Sequence, residues 1–206
     1  MLQRFVCLLI GYLCGCVLFS DIVARMLSGR SAFELGDGNP GMANVGHVLG
    51  TKAAILCLVG DIIKTVVAVW ISNTLFPDLG ILATAWAGLG ATLGHDFPFW
   101  HKFRGGKGVT TIASTIILMN PLWGIITAVV GVVSIVITGY LSTAALIAMA
   151  FYTVAMFAID GMEAAFLCLV FMGLQVYGHW SKLMGIRNGT TKRAGLADKV
   201  RKWFRH

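Results

Sequence analysis

The chain has 206 residues, 57% of them apolar and only 12% charged, with a formal net charge of +7. A soluble domain carries roughly 25% charged residues, so this composition, with its long apolar runs, excludes an ordinary soluble protein. Lipid cannot satisfy backbone polar groups, and runs that are continuous rather than alternating select helices over a barrel, so the expected class is an all-α integral membrane protein.

In chain order the apolar runs predict seven transmembrane helices, at residues 5–27, 53–76, 81–100, 109–120, 122–138, 141–159 and 164–184. The fourth is short and stops at Pro121, as a proline inside a helical pattern requires. The first has no small-x-small exit and reads as a span rather than a cleavable leader. A membrane domain at 1–184 is thus followed by a basic, soluble tail at 185–206.

Charge placement orients the spans. Arg25, Arg30 and Lys52 flank the first loop, Lys102, Arg104 and Lys107 fill the third, and Lys182, Arg187, Lys192, Arg193, Lys199, Arg201, Lys202 and Arg205 crowd the end. The loops after the second, fourth and sixth spans hold no Lys or Arg, and those after the second and sixth hold Asp78, Asp160 and Glu163. By the positive-inside rule the N-terminus lies outside and the first loop, third loop and C-terminus are cytoplasmic; Arg4 alone dissents. The positive charge then reflects topology and contact with anionic lipid. Nucleic-acid binding is a poor reading, because the basic tail has no fold around it.

Cys7, Cys14, Cys16, Cys57 and Cys168 lie within apolar segments without metal-ligand spacing, so neither a disulfide nor a metal site is expected.

Two cytoplasmic loops are too unusual to be connectors. Residues 33–52, "FELGDGNPGMANVGHVLGTK", are rich in glycine with two asparagines. Glycine permits positive φ and close backbone approach, and such loops can turn consecutive N–H groups toward an anion. Residues 95–111, "HDFPFWHKFRGGKGVTT", place Gly105, Gly106, Lys107 and Gly108 immediately before an apolar helix. A helix N-terminus is a ready phosphate site, to which Lys107 adds a full charge. The spacing is not that of a Walker loop, since Val109 stands where the hydroxyl should be. Taken alone, "GGKG" also fits a flexible turn with topogenic charge.

Polar residues at span ends complete the pattern. Asp61 and Lys64, three apart, share a helix face and can pair, which by itself is a structural role. His95, Ser142, His179 and Lys182 are each ordinary singly, but the expected topology puts them on the face of both glycine loops.

These stretches together ("LGDGNPGMANVGHVLG", "DIIK", "LGHDFPFWHKFRGGKGVTT" and "YGHW") resemble the acyl-phosphate:glycerol-3-phosphate acyltransferases, the PlsY type of bacterial phospholipid synthesis. The resemblance implies seven membrane helices in the bacterial inner membrane and an active site at the cytoplasmic face. It implies transfer of an acyl chain from acyl phosphate to the 1-hydroxyl of glycerol 3-phosphate, giving lysophosphatidic acid and phosphate. No cofactor, metal or obligate protein partner is implied. Carried over by position, Gly105, Gly106, Lys107 and Gly108 grip the donor phosphate. Lys107, His179 and Asn39 are the expected catalytic residues. Asp37, Asn44, His47, Ser142, His179 and Lys182 line the acceptor side. Gly36, Gly38, Asp61, Lys64 and His95 support them.

The sequence departs from the family where the acceptor is bound. The usual Gly-Ser-Gly-Asn is Gly36-Asp37-Gly38-Asn39, the usual Asn-x-x-Arg ends at His47, and Lys182 replaces an Asn. Exchanging Arg for His loses a bidentate phosphate fork. Exchanging Ser for Asp sets an anion where an anion binds. Three readings follow: the family reaction; an acyl-phosphate enzyme with another acceptor, an amine suiting Asp37; or a non-enzymatic membrane transporter, compatible with Asp61 and Lys64 inside a span.

Overall fold

Small residues decide how the first helices meet. In the computed structural model, which describes residues 1–191 and 193, α1 (Leu2–Gly15) lies along α5 (Ile81–Asp96). A Cβ placed on Gly11 would strike the backbone of Ala87 and Ala91, and one on Gly90 or Gly94 would strike the backbone of Leu8 or Tyr12. The contact register advances in the same direction along both helices, so they run parallel. Without a hydrophobic drive between helices in lipid, such close backbone approach is a main source of association.

The apolar run expected to cross as one helix is broken. α1 ends at Gly15 and α2 (Phe19–Ser28) starts after Leu18, which is extended. The cause lies on α4 (Thr51–Leu75): the Lys64 ammonium donates to the carbonyls of Gly15 at 3.1 Å and Val17 at 2.9 Å. These belong to the break, where helix carbonyls have no intrahelical partner. A second difference is α3 (Met42–Leu49), a short helix inside the glycine-asparagine stretch. α2, α3 and α4 share a core of Val23, Ala24, Leu35, Val45, Ala53 and Cys57. Threonines join α5 to α6 (Val109–Met119): the hydroxyls of Thr92 and Thr111 lie 3.0 Å apart, and Thr115 packs on Gly88.

These elements form one compact unit, Met1–Leu118; a second begins at Met119. In the second, Asn120 caps α7 (Pro121–Thr138) by accepting from the Trp123 N–H at 3.3 Å, with Pro121 in the first turn. Gly139 ends α7 with φ of 83° before α8 (Leu141–Ile159), and Asp160-Gly161 turns the chain into α9 (Gly161–Arg187). α8 packs on both α7 and α9. Beyond Thr191, only Arg193 of the basic tail is among the described residues, so the tail charges at Lys192, Lys199, Arg201, Lys202 and Arg205 lie outside them.

Among the described residues, five helical stretches are long and apolar enough to cross a membrane: Leu2–Ser28 counted through its break, Thr51–Leu75, Pro121–Thr138, Leu141–Ile159 and Gly161–Arg187. Of the other two expected spans, the third ends at Asp96 rather than at residue 100, and the fourth is short, as read from the sequence. α5 has 16 residues and α6 has 11, lengths of about 24 and about 16 Å against a hydrocarbon core of about 30 Å.

Candidate active site

The first unit builds two loops side by side. Asp21, in the first turn of α2, accepts from Ser31 Oγ at 2.6 Å, the Ala32 N–H at 2.9 Å and Arg25 Nε at 2.8 Å. Ser31 and Glu34 form a reciprocal capping box around the short 3-10 turn Ala32–Glu34. The chain is thereby directed into the first glycine loop, which Ser20 Oγ ties at the Pro40 carbonyl.

Asn44 holds that loop from within. Its Oδ1 accepts from the Asp37 N–H at 3.0 Å, and its Nδ2 donates to Leu35 O at 2.8 Å and Asn39 O at 3.0 Å. Expected on the acceptor side, Asn44 is buried and both its amide hydrogens are engaged within the loop. Its side chain also explains Gly36, where a Cβ would collide with Asn44 Oδ1 and φ is 51°. Asp37 folds into an Asx turn, its Oδ1 accepting from the Asn39 N–H at 3.2 Å, a turn that this residue type favours. The Asp37 and His47 side chains are exposed, His47 on the last turn of α3.

The second loop folds over the end of α5. Pro98 leads into a 3-10 turn at Phe99–His101, and Lys102 and Phe103 both take positive φ, 55° and 58°. The Gly106 N–H donates to the His95 carbonyl at 3.0 Å, so this donor, expected to face a phosphate, is engaged with the protein. A Cβ on Gly106 would collide with the His95 ring, and one on Gly105 with the His95 carbonyl. Gly108 has φ of 62° and passes directly into α6, whose first-turn N–H groups lack intrahelical acceptors. The Phe33 and His101 rings, 5.2 Å apart, bring the two loops into contact. His101 escaped the sequence reading, because a single loop His carries no pattern.

Beneath the second loop sits a buried polar cluster. Lys64 Nζ lies 2.8 Å from Asp61 Oδ1 and 2.8 Å from His95 Nδ1, besides its two carbonyl acceptors. Asp61 Oδ1 is 3.4 Å from His95 Nδ1. The Nε2 side of the His95 ring lies beneath Gly106. The intrahelical pair expected of Asp61 and Lys64 is present, and it also braces the helix break and the His95 ring. Asp96, next in the chain, is buried as well; an acid at the end of an apolar helix was the signal for it. In the second unit, Ser142 is buried in the first turn of α8, while α9 carries His179 buried and Lys182 exposed.

The model of the family "Glycerol-3-phosphate acyltransferase" matches residues 5–189 of the chain. The chain belongs to the glycerol-3-phosphate acyltransferase family. Among its relatives, glycerol-3-phosphate acyltransferase 1 of Lactobacillus johnsonii is 32% identical over 98% of this chain and 97% of its own. The glycerol-3-phosphate acyltransferase of Cupriavidus pinatubonensis is 35% identical over 93% and 96%. The acyltransferase is also similar in fold to the crystal structure of PlsY (YgiH), an integral membrane glycerol 3-phosphate acyltransferase in its glycerol 3-phosphate form. That match has a TM-score of 0.83 and 25% identity, covering 96% of this chain and 98% of the other. This chain is therefore a multi-pass membrane acyltransferase.

Proposed function

We propose that this acyltransferase moves a fatty acyl chain from acyl phosphate to the 1-hydroxyl of glycerol 3-phosphate, forming lysophosphatidic acid and inorganic phosphate. The observation that carries this reading is the second loop, a glycine turn seated on His95 and running straight into the N-terminus of α6. In this reading the donor phosphate sits among Gly105, Gly108 and the first N–H groups of α6, with Lys107 supplying charge. Gly106 serves by its closeness to His95. The hydroxyl oxygen of the acceptor attacks the acyl carbon, the bond from that carbon to the phosphate oxygen breaks, and the hydroxyl proton leaves with the phosphate. Positioning and electrostatics supply the rate. Asn39 and His179 complete the proposed catalytic residues. Asp37, Asn44, His47, Ser142, His179 and Lys182 are assigned to the acceptor side by resemblance, Asn44 as the organiser of its loop.

The proposal extends to topology: seven crossings in a bacterial inner membrane, N-terminus outside, C-terminus cytoplasmic, with the site at the cytoplasmic face. Residues 1–184 are then the catalytic membrane domain and 185–206 a cytoplasmic tail. Purified protein given palmitoyl phosphate and glycerol 3-phosphate should release lysophosphatidic acid and phosphate in equal amounts; absence of both products would remove the reading. One observation favours a second reading: the exposed carboxylate of Asp37 in the acceptor loop suits an amine-bearing acceptor better than a phosphate. An acceptor screen with the same donor separates the two.

A further inference from the structure

Asp96 has no place in the scheme above, yet it lies against the second loop. It is 6% exposed, and its Oδ1 is buried with no hydrogen-bond partner. A buried polar atom without a partner carries a desolvation penalty, so such an atom points to something that completes it. The position that a Cβ would occupy on Gly108 is 3.1 Å from Asp96 Oδ1 and 3.2 Å from Oδ2. The carboxyl is therefore aimed at the glycine that opens α6, the point at which the donor phosphate is proposed to bind.

The groups around it limit what it can do. From α4, Lys64 and Asp61 act on Asp96 electrostatically, but Lys64 is already shared among Asp61, His95 and two carbonyls. From the break after α1, Cys16 lies near Lys64. On α5 itself stand His95 and, one turn back, Thr92, whose hydroxyl meets Thr111 of α6. From the loop, Lys107 precedes Gly108. An ionised Asp96 beside a phosphate would set two anions together in a dry site, which is strongly unfavourable. A neutral carboxylic acid reverses the interaction, because its O–H is a donor; apolar sites are known to hold an acid neutral for that purpose.

We propose that Asp96, in its neutral form, donates a hydrogen bond to an oxygen of the donor phosphate at the start of α6. This rests on the donor-site reading of the second loop. Asp96 thereby makes donor affinity depend on a proton: binding is strong while the acid is neutral and is lost as rising pH ionises it.

The test measures KM for palmitoyl phosphate between about pH 6 and about pH 9, using the full chain in lipid nanodiscs and saturating acceptor. Three proteins are compared: wild type, Asp96→Asn and Asp96→Leu. Wild type should show KM rising at least about tenfold across the window with kcat much less affected. Asp96→Asn, neutral and still a donor, should hold a low and flat KM. Asp96→Leu, neutral but no donor, should be flat and raised about tenfold or more. Ionisation of the substrate is common to all three and cancels in the comparison. A flat wild-type profile overturns the proposal without need of any variant. An Asp96→Asn profile that still rises like wild type, or an Asp96→Leu KM equal to that of Asp96→Asn, overturns it too. If wild type does not consume palmitoyl phosphate at any pH, the donor-site reading itself falls and this proposal with it.

Discussion

A single ammonium, that of Lys64, ties three elements together: it pairs with Asp61, contacts His95 and satisfies the Gly15 and Val17 carbonyls at the break between α1 and α2. Breaking a buried pair from one side costs roughly 3–5 kcal/mol, because an uncompensated charge remains. Lys64→Met should therefore lower the unfolding temperature in detergent strongly, and adding Asp61→Leu should recover part of the loss; equal loss in both would show that the carbonyl contacts dominate. Lys107 lies on the second loop, at the proposed donor site. Losing one charge-assisted hydrogen bond costs roughly 1.5–3 kcal/mol, about a tenfold to hundredfold drop in rate. Lys107→Ala should lose activity to that extent while the protein still folds and inserts; retained turnover would refute the donor-site assignment. On the acceptor side, Asp37→Ser with His47→Arg restores the usual pattern of the family. With glycerol 3-phosphate as acceptor the double variant should show a lower KM, whereas with a cationic acceptor it should lose the native activity.

At the scale of elements, the interface between α1 and α5 depends on the absence of side chains. Gly90 faces the Leu8 carbonyl and Tyr12 nitrogen, so any side chain there meets rigid backbone. Gly90→Leu should force the helices apart and cost more than the roughly 1–3 kcal/mol typical of overpacking, read as loss of folded protein on size exclusion. Gly173, on α9, has no atoms within 4 Å of its Cβ position, and Gly173→Leu should be tolerated. The same logic holds the second loop, where the His95 ring leaves no room for a Cβ on Gly106 and Lys64 keeps the ring from moving aside.

For the whole molecule the open quantity is the number of crossings. A reporter fused after His206 should be cytoplasmic, and a thiol-reactive or epitope label at the N-terminus should react from outside. Finding both ends cytoplasmic would require an even number and undo the shared location of the two loops. The weak candidate is α6: its 11 residues cover about half the hydrocarbon core. Its buried face of Ile112, Ile116, Thr111 and Thr115 belongs to packing within the first unit rather than to lipid.

Composition and run length were sufficient for the helical membrane class, because the hydrocarbon core imposes the same requirement on every span whatever its neighbours. The stop of the fourth run before Pro121 was legible for a similar reason: the effect of a proline on a helix is local. The second loop could be recognised from "GGKG" and its surroundings, though not that the Gly106 N–H turns inward to His95, since that depends on how the chain folds back over α5. The break after Gly15 was invisible in the apolar run, its cause being Lys64 from another helix. α3 was hidden among glycines whose helix-weakening effect its packing on α4 overrides. Asn44 was read as a ligand-facing residue because a side-chain amide suits a ligand and a backbone equally. Only the tertiary structure showed that amide engaged with Leu35, Asp37 and Asn39, and only it placed the buried carboxyl of Asp96 against Gly108.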